Sequence, residues 1–240
     1  MKPLACRHLP LKILLGGFLS FSAHGQGSLG TGTFQDLDFE SANLSPIPPG
    51  QFGGPSVAAT DAIPGWTAYI AAAPVSSIQQ DDVTTGSASV NIFGPKGAAG
   101  DFGGYVIEGL YSIGLQPGFL TGSNVGSSIA QTAQIPSGAA SLLFKASPFD
   151  PFVISLGGQA LSCVALGAGP NYTLYGASLP AGVGGQTETL SIAVAAGPNN
   201  IGDIFDSFSF SPSSIPEPNI LPLFGLGGLA MLLVFRVKRA

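Results

Sequence analysis

Apolar residues in the middle of this chain come in short runs separated by Gly, Pro and Ser, and within several runs they fall on every second position. Ala88, Val90 and Ile92 alternate in this way, and so do Ile129, Ala133 and Ile135, with the polar Gln131 between them on the same face. A period of two is the strand period, because successive side chains point to opposite faces of a sheet. Residues 34–40 read as a strand with Phe34, Asp36, Asp38 and Glu40 on one face and Leu37 and Phe39 on the other. Further strands are expected over 63–70, 105–115, 140–146, 152–156, 160–166, 172–175, 188–195 and 204–210, with turns at Gln116-Pro117-Gly118, Pro136-Ser137-Gly138 and Gly157-Gly158. Residues 27–33 read as a flexible leader, and 45–55 and 94–104 as loops. No sustained helical period with caps occurs between Gln26 and Ser214. About ten short strands in one domain imply two stacked antiparallel sheets, an all-β sandwich of jelly-roll type.

Both ends break this pattern. Lys2, Arg7 and Lys12 precede an apolar run over 13–21 and a small-x-small site at Ala23, His24 and Gly25, the layout of a secretory signal peptide covering residues 1–25. A permanent N-terminal anchor is disfavoured by the shortness of that run. At the other end, Pro216, Glu217 and Pro218 lead into an uncharged run over 220–235, followed by Arg236, Lys238 and Arg239. As a helix that run would measure roughly 24 Å, slightly short of a bilayer core, with the basic cluster holding its end at the cytoplasmic surface. The division expected is therefore 1–25 signal, 26–214 β-sandwich and 215–240 sorting segment.

The order Pro-Glu-Pro, apolar span, basic end resembles the PEP-CTERM sorting signal of bacterial envelope proteins. The resemblance implies recognition by an exosortase-type membrane enzyme and transient anchoring through the C-terminal helix. Cleavage near the motif and association with exopolysaccharide or biofilm matrix are implied in the same way. The destination implied is the cell surface or the extracellular matrix.

Of the eight basic residues, six lie in these terminal segments, leaving Lys96 and Lys145 between them. All acidic residues but Glu217 remain there, so the domain carries twelve acids against two bases, a formal charge of −10. Such a domain does not bind nucleic acid by neutralising phosphates, nor cling to anionic lipid.

Histidine occurs only at His8 and His24, both within the expected signal peptide. The processed domain thus has no imidazole for a Ser/His/Asp triad, a Cys/His dyad or a His-ligated zinc. Cys163, between apolar neighbours, reads as a small core residue. Glycoside hydrolysis needs only two carboxylates about 5 to 10 Å apart, so it stays open as the less favoured enzymatic route. Asp36, Asp38 and Glu40 read as charges protecting an exposed strand edge, and Asp81 and Asp82 as solvated.

Asp38-Phe39-Glu40, then Pro64-Gly65-Trp66, and finally the segment 205–210 with Asp206 resemble the opening and closing strands of the galactose-binding-like jelly roll of many carbohydrate-binding modules. The resemblance implies a structural calcium held by Glu40 and Asp206, with backbone carbonyls completing the shell. Here a serine, Ser207, follows Asp206 where the family often has a second acid. Trp66 is expected in the core. Tyr105, Tyr111, Tyr172 and Tyr175, with Asn171 nearby, are the candidates for sugar contact, because aromatic faces stack on pyranose rings while amides take hydroxyls. The expected function is that of an exported, non-enzymatic surface or matrix protein associated with exopolysaccharide; a carbohydrate-binding module with a specific glycan is the alternative. Tyrosines gathered in one place with Asn171 or an acid favour binding, and scattered tyrosines favour a purely structural role.

Overall fold

The structure, a computed structural model, describes residues 29–44, 55–82, 86–95, 105–197 and 202–215. The expected signal peptide, Pro216, Glu217 and Pro218, the apolar run and the basic cluster all lie outside the described residues. No helix among the described residues is long and apolar enough to cross a membrane.

The elements in chain order are β1 (Ser56–Ala58), one helical turn α1 (Ala59–Ala62), β2 (Thr67–Ile70), β3 (Ala73–Val75), β4 (Ser77–Gln80) and β5 (Ser89–Phe93). There follow β6 (Ser112–Gln116), β7 (Gly118–Leu120), β8 (Ser123–Val125), β9 (Ser127–Gln134), β10 (Ser141–Ser147) and β11 (Phe152–Leu156). The last are β12 (Gln159–Ala160), β13 (Cys163–Ala168), β14 (Thr173–Ser178), β15 (Thr187–Val194) and β16 (Asp203–Ser211). An eight-stranded sheet, ordered β1-β4-β5-β6-β16-β10-β14-β13, faces a six-stranded sheet, ordered β12-β11-β15-β9-β2-β3. The all-β sandwich read from the alternation is present. Its pairing is antiparallel except between β4 and β5, which run parallel.

Alternation decides what each sheet buries. In β15, Leu190, Ile192 and Val194 face inward, and in β9 Ile129 and Ala133 do the same. Aromatic rings fill the space between the sheets. Phe144 stacks on Phe208 with centroids 5.1 Å apart and on Tyr175 at 5.4 Å, and meets Phe152 edge-on at 6.0 Å. Trp66 is buried as expected, and its indole N–H donates to the Asp36 carbonyl at 3.0 Å.

Three expectations fail locally. Residues 34–40 are not a strand: Asp36 and Phe39 have φ of 49° and 58°, which breaks the two-residue alternation and lets Phe34, Leu37 and Phe39 all turn inward. The acids of this segment therefore guard no strand edge. Instead the segment straps the two sheets together, with Phe208 N–H donating to the Leu37 carbonyl on one side and Gln131 holding both backbone groups of Gln35 on the other. Residues 105–111 are irregular, and the strand begins only at Ser112. Asp81 is not simply solvated, since its carboxylate accepts the Gly94 N–H.

Buried carboxyls leave a mark on stability. Asp203 accepts the N–H groups of Phe149 and Asp150 with one oxygen, while its other oxygen is buried without a partner; Asp36 likewise has one unpaired buried oxygen. Burial outweighs these hydrogen bonds and pushes Asp36, Asp203 and Asp206 up to about 6.

Two measurements check this account. Phe144→Ala should cost about 3–5 kcal/mol, read as a lower denaturation midpoint with an unchanged m-value. A carboxyl with a raised folded pKa holds its proton more tightly when folded, so stability should fall as pH rises from about 4 to about 6 and then level off. The melting temperature should accordingly be higher near pH 5 than near pH 7.5, and Asp203→Asn should flatten part of that slope. A midpoint that climbs steadily from pH 5 to 7 would show that these carboxyls are not held protonated by the fold.

Candidate functional site

Six of the seven side chains singled out above as calcium or sugar candidates, all but Tyr175, converge on the segment 105–112. This segment crosses the outer face of the eight-stranded sheet just before β6. Its placement follows from alternation on β16 and β5. Phe205 faces the main core while Ile204 faces outward, and Ile92 faces inward while Phe93 faces outward. Ile204 and Phe93 would be exposed on that face, and Val106 and Ile107 cover them to form a second, smaller apolar cluster. Tyr105 and Tyr172 pack on its edge.

Polar groups fix the segment at both ends. The Glu40 carboxylate accepts the N–H groups of Leu110 at 2.9 Å and Tyr111 at 3.0 Å. Gly109, at φ 61°, lies directly against that carboxylate, so a Cβ there would displace it. On the opposite side, one oxygen of Asp206 accepts the Glu108 N–H at 3.0 Å and the Ser112 hydroxyl at 2.7 Å. The Ser112 hydroxyl oxygen in turn accepts the Ile107 N–H at 2.9 Å. Asn171 donates its side-chain N–H to the Val106 carbonyl at 3.3 Å.

Lys145, the sole basic residue among the described residues, projects from β10 beside Asp206 in register. It pairs with Glu108, and its ammonium lies 5.2 Å from the centre of the Tyr172 ring. The hydrogen bond from Lys145, reinforced by the Ser207 hydroxyl at 2.7 Å, holds the Glu108 carboxyl below its ordinary range. Asp206 moves the opposite way, raised by burial. The Tyr111 hydroxyl is also raised, first by burial and then by the charges of Glu40 and Asp81.

Two carboxyls with oppositely shifted pKa values, bridged by one serine hydroxyl, have the form of an acid/base pair for glycoside hydrolysis. Access rules that chemistry out at this position. Asp206 is 1% exposed and its oxygens face Ser112, Ser207 and the Glu108 N–H, so it cannot touch a glycosidic oxygen. The calcium expectation meets a similar observation. Glu40 and Asp206 are brought to the same segment, but the donors they face are N–H and O–H groups. Among the described residues no three acidic, histidine or cysteine side chains surround a point where a metal could sit. Cys163 is half-buried, and burial pushes its thiol up to about 11, far from a reactive thiolate.

Tyr175 is elsewhere. It faces inward from β14 and stacks on Phe144, so it belongs to the core. Tyr111 is divided between the two roles, its backbone held by Glu40 and its ring packed against the main core. Tyr105 stacks on Phe93 with centroids 4.9 Å apart. The surface that remains combines Tyr105, Tyr172 and Asn171 with the Glu108–Lys145 pair. Glu108 and Ser112 were not singled out in the sequence, and Lys145 and Ser207 were noted there only as a remaining base and as the residue after Asp206, not as parts of a site. Lys145 could have been: it alternates with Phe144 and Ala146, which places it outward on the same face as Asp206.

No family model matches the chain, and no curated protein matches it. Among solved structures, TmCBM61 in complex with β-1,4-galactotriose aligns at 12% identity and a TM-score of 0.34, over 74% of this chain and 95% of that one. A family 11 carbohydrate-binding module of a cellulosomal cellulase from Clostridium thermocellum aligns at 8% identity and a TM-score of 0.34, over 74% and 100%. A family 11 module from the same organism, in complex with a β-1,3-1,4-mixed-linked tetrasaccharide, aligns at 8% and 0.32, over 68% and 96%. At such identities and scores the likeness is one of β-sandwich to β-sandwich, and it assigns neither a ligand nor a binding face.

Proposed function

We propose that this chain is an exported, non-catalytic β-sandwich that binds carbohydrate through the outer face of its eight-stranded sheet. One observation supports the reading above the others: Tyr105 and Tyr172 share a single apolar seat, with Asn171, Glu108 and Lys145 around them. Tyr105, with one face against Phe93, and Tyr172, seated on Gly169 beneath the Lys145 ammonium, bring aromatic surface beside an amide, a carboxylate and an ammonium, the groups a pyranose ring uses for stacking and for its hydroxyls. Hydrogen bonds donated by the segment to the carboxylates of Glu40 and Asp206 anchor it beneath, so the platform is pre-organised. The terminal motifs extend the proposal: export by the signal peptide, exosortase-dependent sorting at Pro216, Glu217 and Pro218, and residence at the cell surface or in an exopolysaccharide matrix.

The test is depletion of the full chain, in mild detergent, by insoluble polysaccharides, with cellulose, β-1,4-galactan and the producing cell's own exopolysaccharide as probes. At least one should deplete the wild type, and Tyr172→Ala should weaken that depletion about tenfold, near 1.4 kcal/mol. Binding unchanged in both Tyr172→Ala and Tyr105→Ala would dismiss the platform, and no depletion by any probe would leave a structural matrix protein without a glycan ligand. Because N–H and O–H donors already hold Glu40 and Asp206, the melting temperature is expected to be the same in calcium and in EDTA. A clear rise in calcium would return those two residues to the role of ligands.

A further inference from the structure

On β15 the inward-facing series Val194, Ile192, Leu190 continues to Glu188, which puts a carboxylate at the core-facing position where the sandwich ends. It opens on a cleft of about 280 Å³ between the β11–β12 turn and the connection from β14 to β15. Leu156 and Val183 supply apolar lining, and the side chains of Gln159, Gln186 and Glu188 supply the polar groups. None of those three side chains is hydrogen-bonded within the protein among the described residues. Lys145, the sole basic residue among the described residues, is committed to Glu108 on the outer face of the eight-stranded sheet.

The cleft is built rather than incidental. Its loop is fastened to both halves of the sandwich: Gly185 N–H donates to the Ile135 carbonyl and Ile135 N–H to the Gln186 carbonyl, while Leu179 N–H donates to the Ala140 carbonyl. The opposite wall is equally constrained. Gly157 has φ 58°, and a Cβ there would sit 2.5 Å from a Glu188 carboxylate oxygen, so glycine is what leaves that carboxylate its place.

We infer that this cleft is a second saccharide subsite, taking one neutral sugar ring by its hydroxyls; the inference rests on the carbohydrate-binding reading given above. A carboxylate accepts from two neighbouring hydroxyls, two primary amides both donate and accept, and the leucine and valine meet the ring's C–H face. The volume equals about nine water molecules at their liquid share, on the order of one sugar ring with its substituents. An unpaired carboxylate in an acidic domain turns away uronic acids. Tyr172 immediately precedes β14 and the cleft loop follows it, so the six-residue strand sets the two sites on the order of 20 Å apart. The molecule is thereby bivalent, able to hold two glycan segments at once.

The experiment titrates the full chain, in mild detergent, with soluble cello-, galacto- and mixed-linked glucan oligosaccharides, and separately mixes it with the corresponding high-mass polysaccharides. Wild type should bind two oligosaccharides per chain and cross-link polysaccharide into turbid aggregates. Glu188→Ala and Gln186→Ala should each weaken the second event about tenfold, remove the turbidity and leave the tyrosine site intact. Ala181→Trp, which fills the cleft from its loop, should do the same and covers the case in which Glu188→Ala fails to fold. Tyr172→Ala should remove the other event instead. One binding event in the wild type, unaffected by the cleft variants and lost in Tyr172→Ala, overturns the second subsite and keeps the platform. One event lost in the cleft variants and kept in Tyr172→Ala keeps the cleft and overturns the platform. No binding by any oligosaccharide overturns both.

Discussion

Phe205, Phe208 and Phe210 all face the core, and a regular strand cannot arrange that, because residues 205 and 208 have opposite parity. The fold resolves the conflict with a bulge. Leu143 pairs with Ser209 and Lys145 with Asp206, so β16 carries one more residue than β10 across that step, and Ser207 takes up the difference at φ 53°. The insertion keeps three rings in the aromatic stack and turns Asp206 onto the outer face beside Lys145. Everything at the candidate platform depends on that turn. Asp206 captures the Glu108 N–H and the Ser112 hydroxyl, Glu108 reaches Lys145, and the segment 105–112 is thereby drawn across Ile204 and Phe93.

How much of this was legible in the sequence follows from the same physics. Strands β9, β11 and β15 could be read nearly to their ends, because one buried face imposes strict alternation on each, and the density of aromatic residues marked β16 despite its bulge. The segment 34–40 could not. Its polar and apolar residues alternate as a strand would, but two left-handed residues remove the two-residue period, and nothing in Asp36 or Phe39 announces a positive φ. Short edge elements such as β3 and β8 bury little and so carry no pattern to read. At the site, Asp206 and Glu40 could be picked out as carboxylates at the two ends of the chain brought together, and their partners could not, since N–H groups of a loop have no sequence signature. Tyr175 was misplaced for a plain reason: parity alone does not say which face of a sheet is inside. Its pairing opposite Phe144 in β10 settles that.

Charge explains why one lysine matters so much. In a domain with acids in large excess, the described part of the surface offers a single ammonium, and the fold spends it on Glu108 at the edge of the Tyr172 ring. The pair lies partly in solvent, with the Glu108 side chain 58% exposed, so its contribution to stability is modest. Its greater effect is positional, since it fixes the ring, the carboxylate and the segment relative to one another. Glu188 is the counterexample. It receives no cation, sits at an inward position, and is bordered by two amides without internal partners. A carboxylate left so at a core-facing position contributes nothing to the packing around it, which is the physical reason to look to a ligand for its role.

The path of the chain bears on how two such sites would be presented. Ile215 packs against Gly176 on the outer face of the eight-stranded sheet, close to Leu166 of the edge strand β13. Ile215, the last described residue, thus lies on the same face as the tyrosine platform, nearer the end of β14 that leads into the cleft loop than the end that carries Tyr172, so this outer face carries the platform at one end of β14 and the chain's last described contact toward the other.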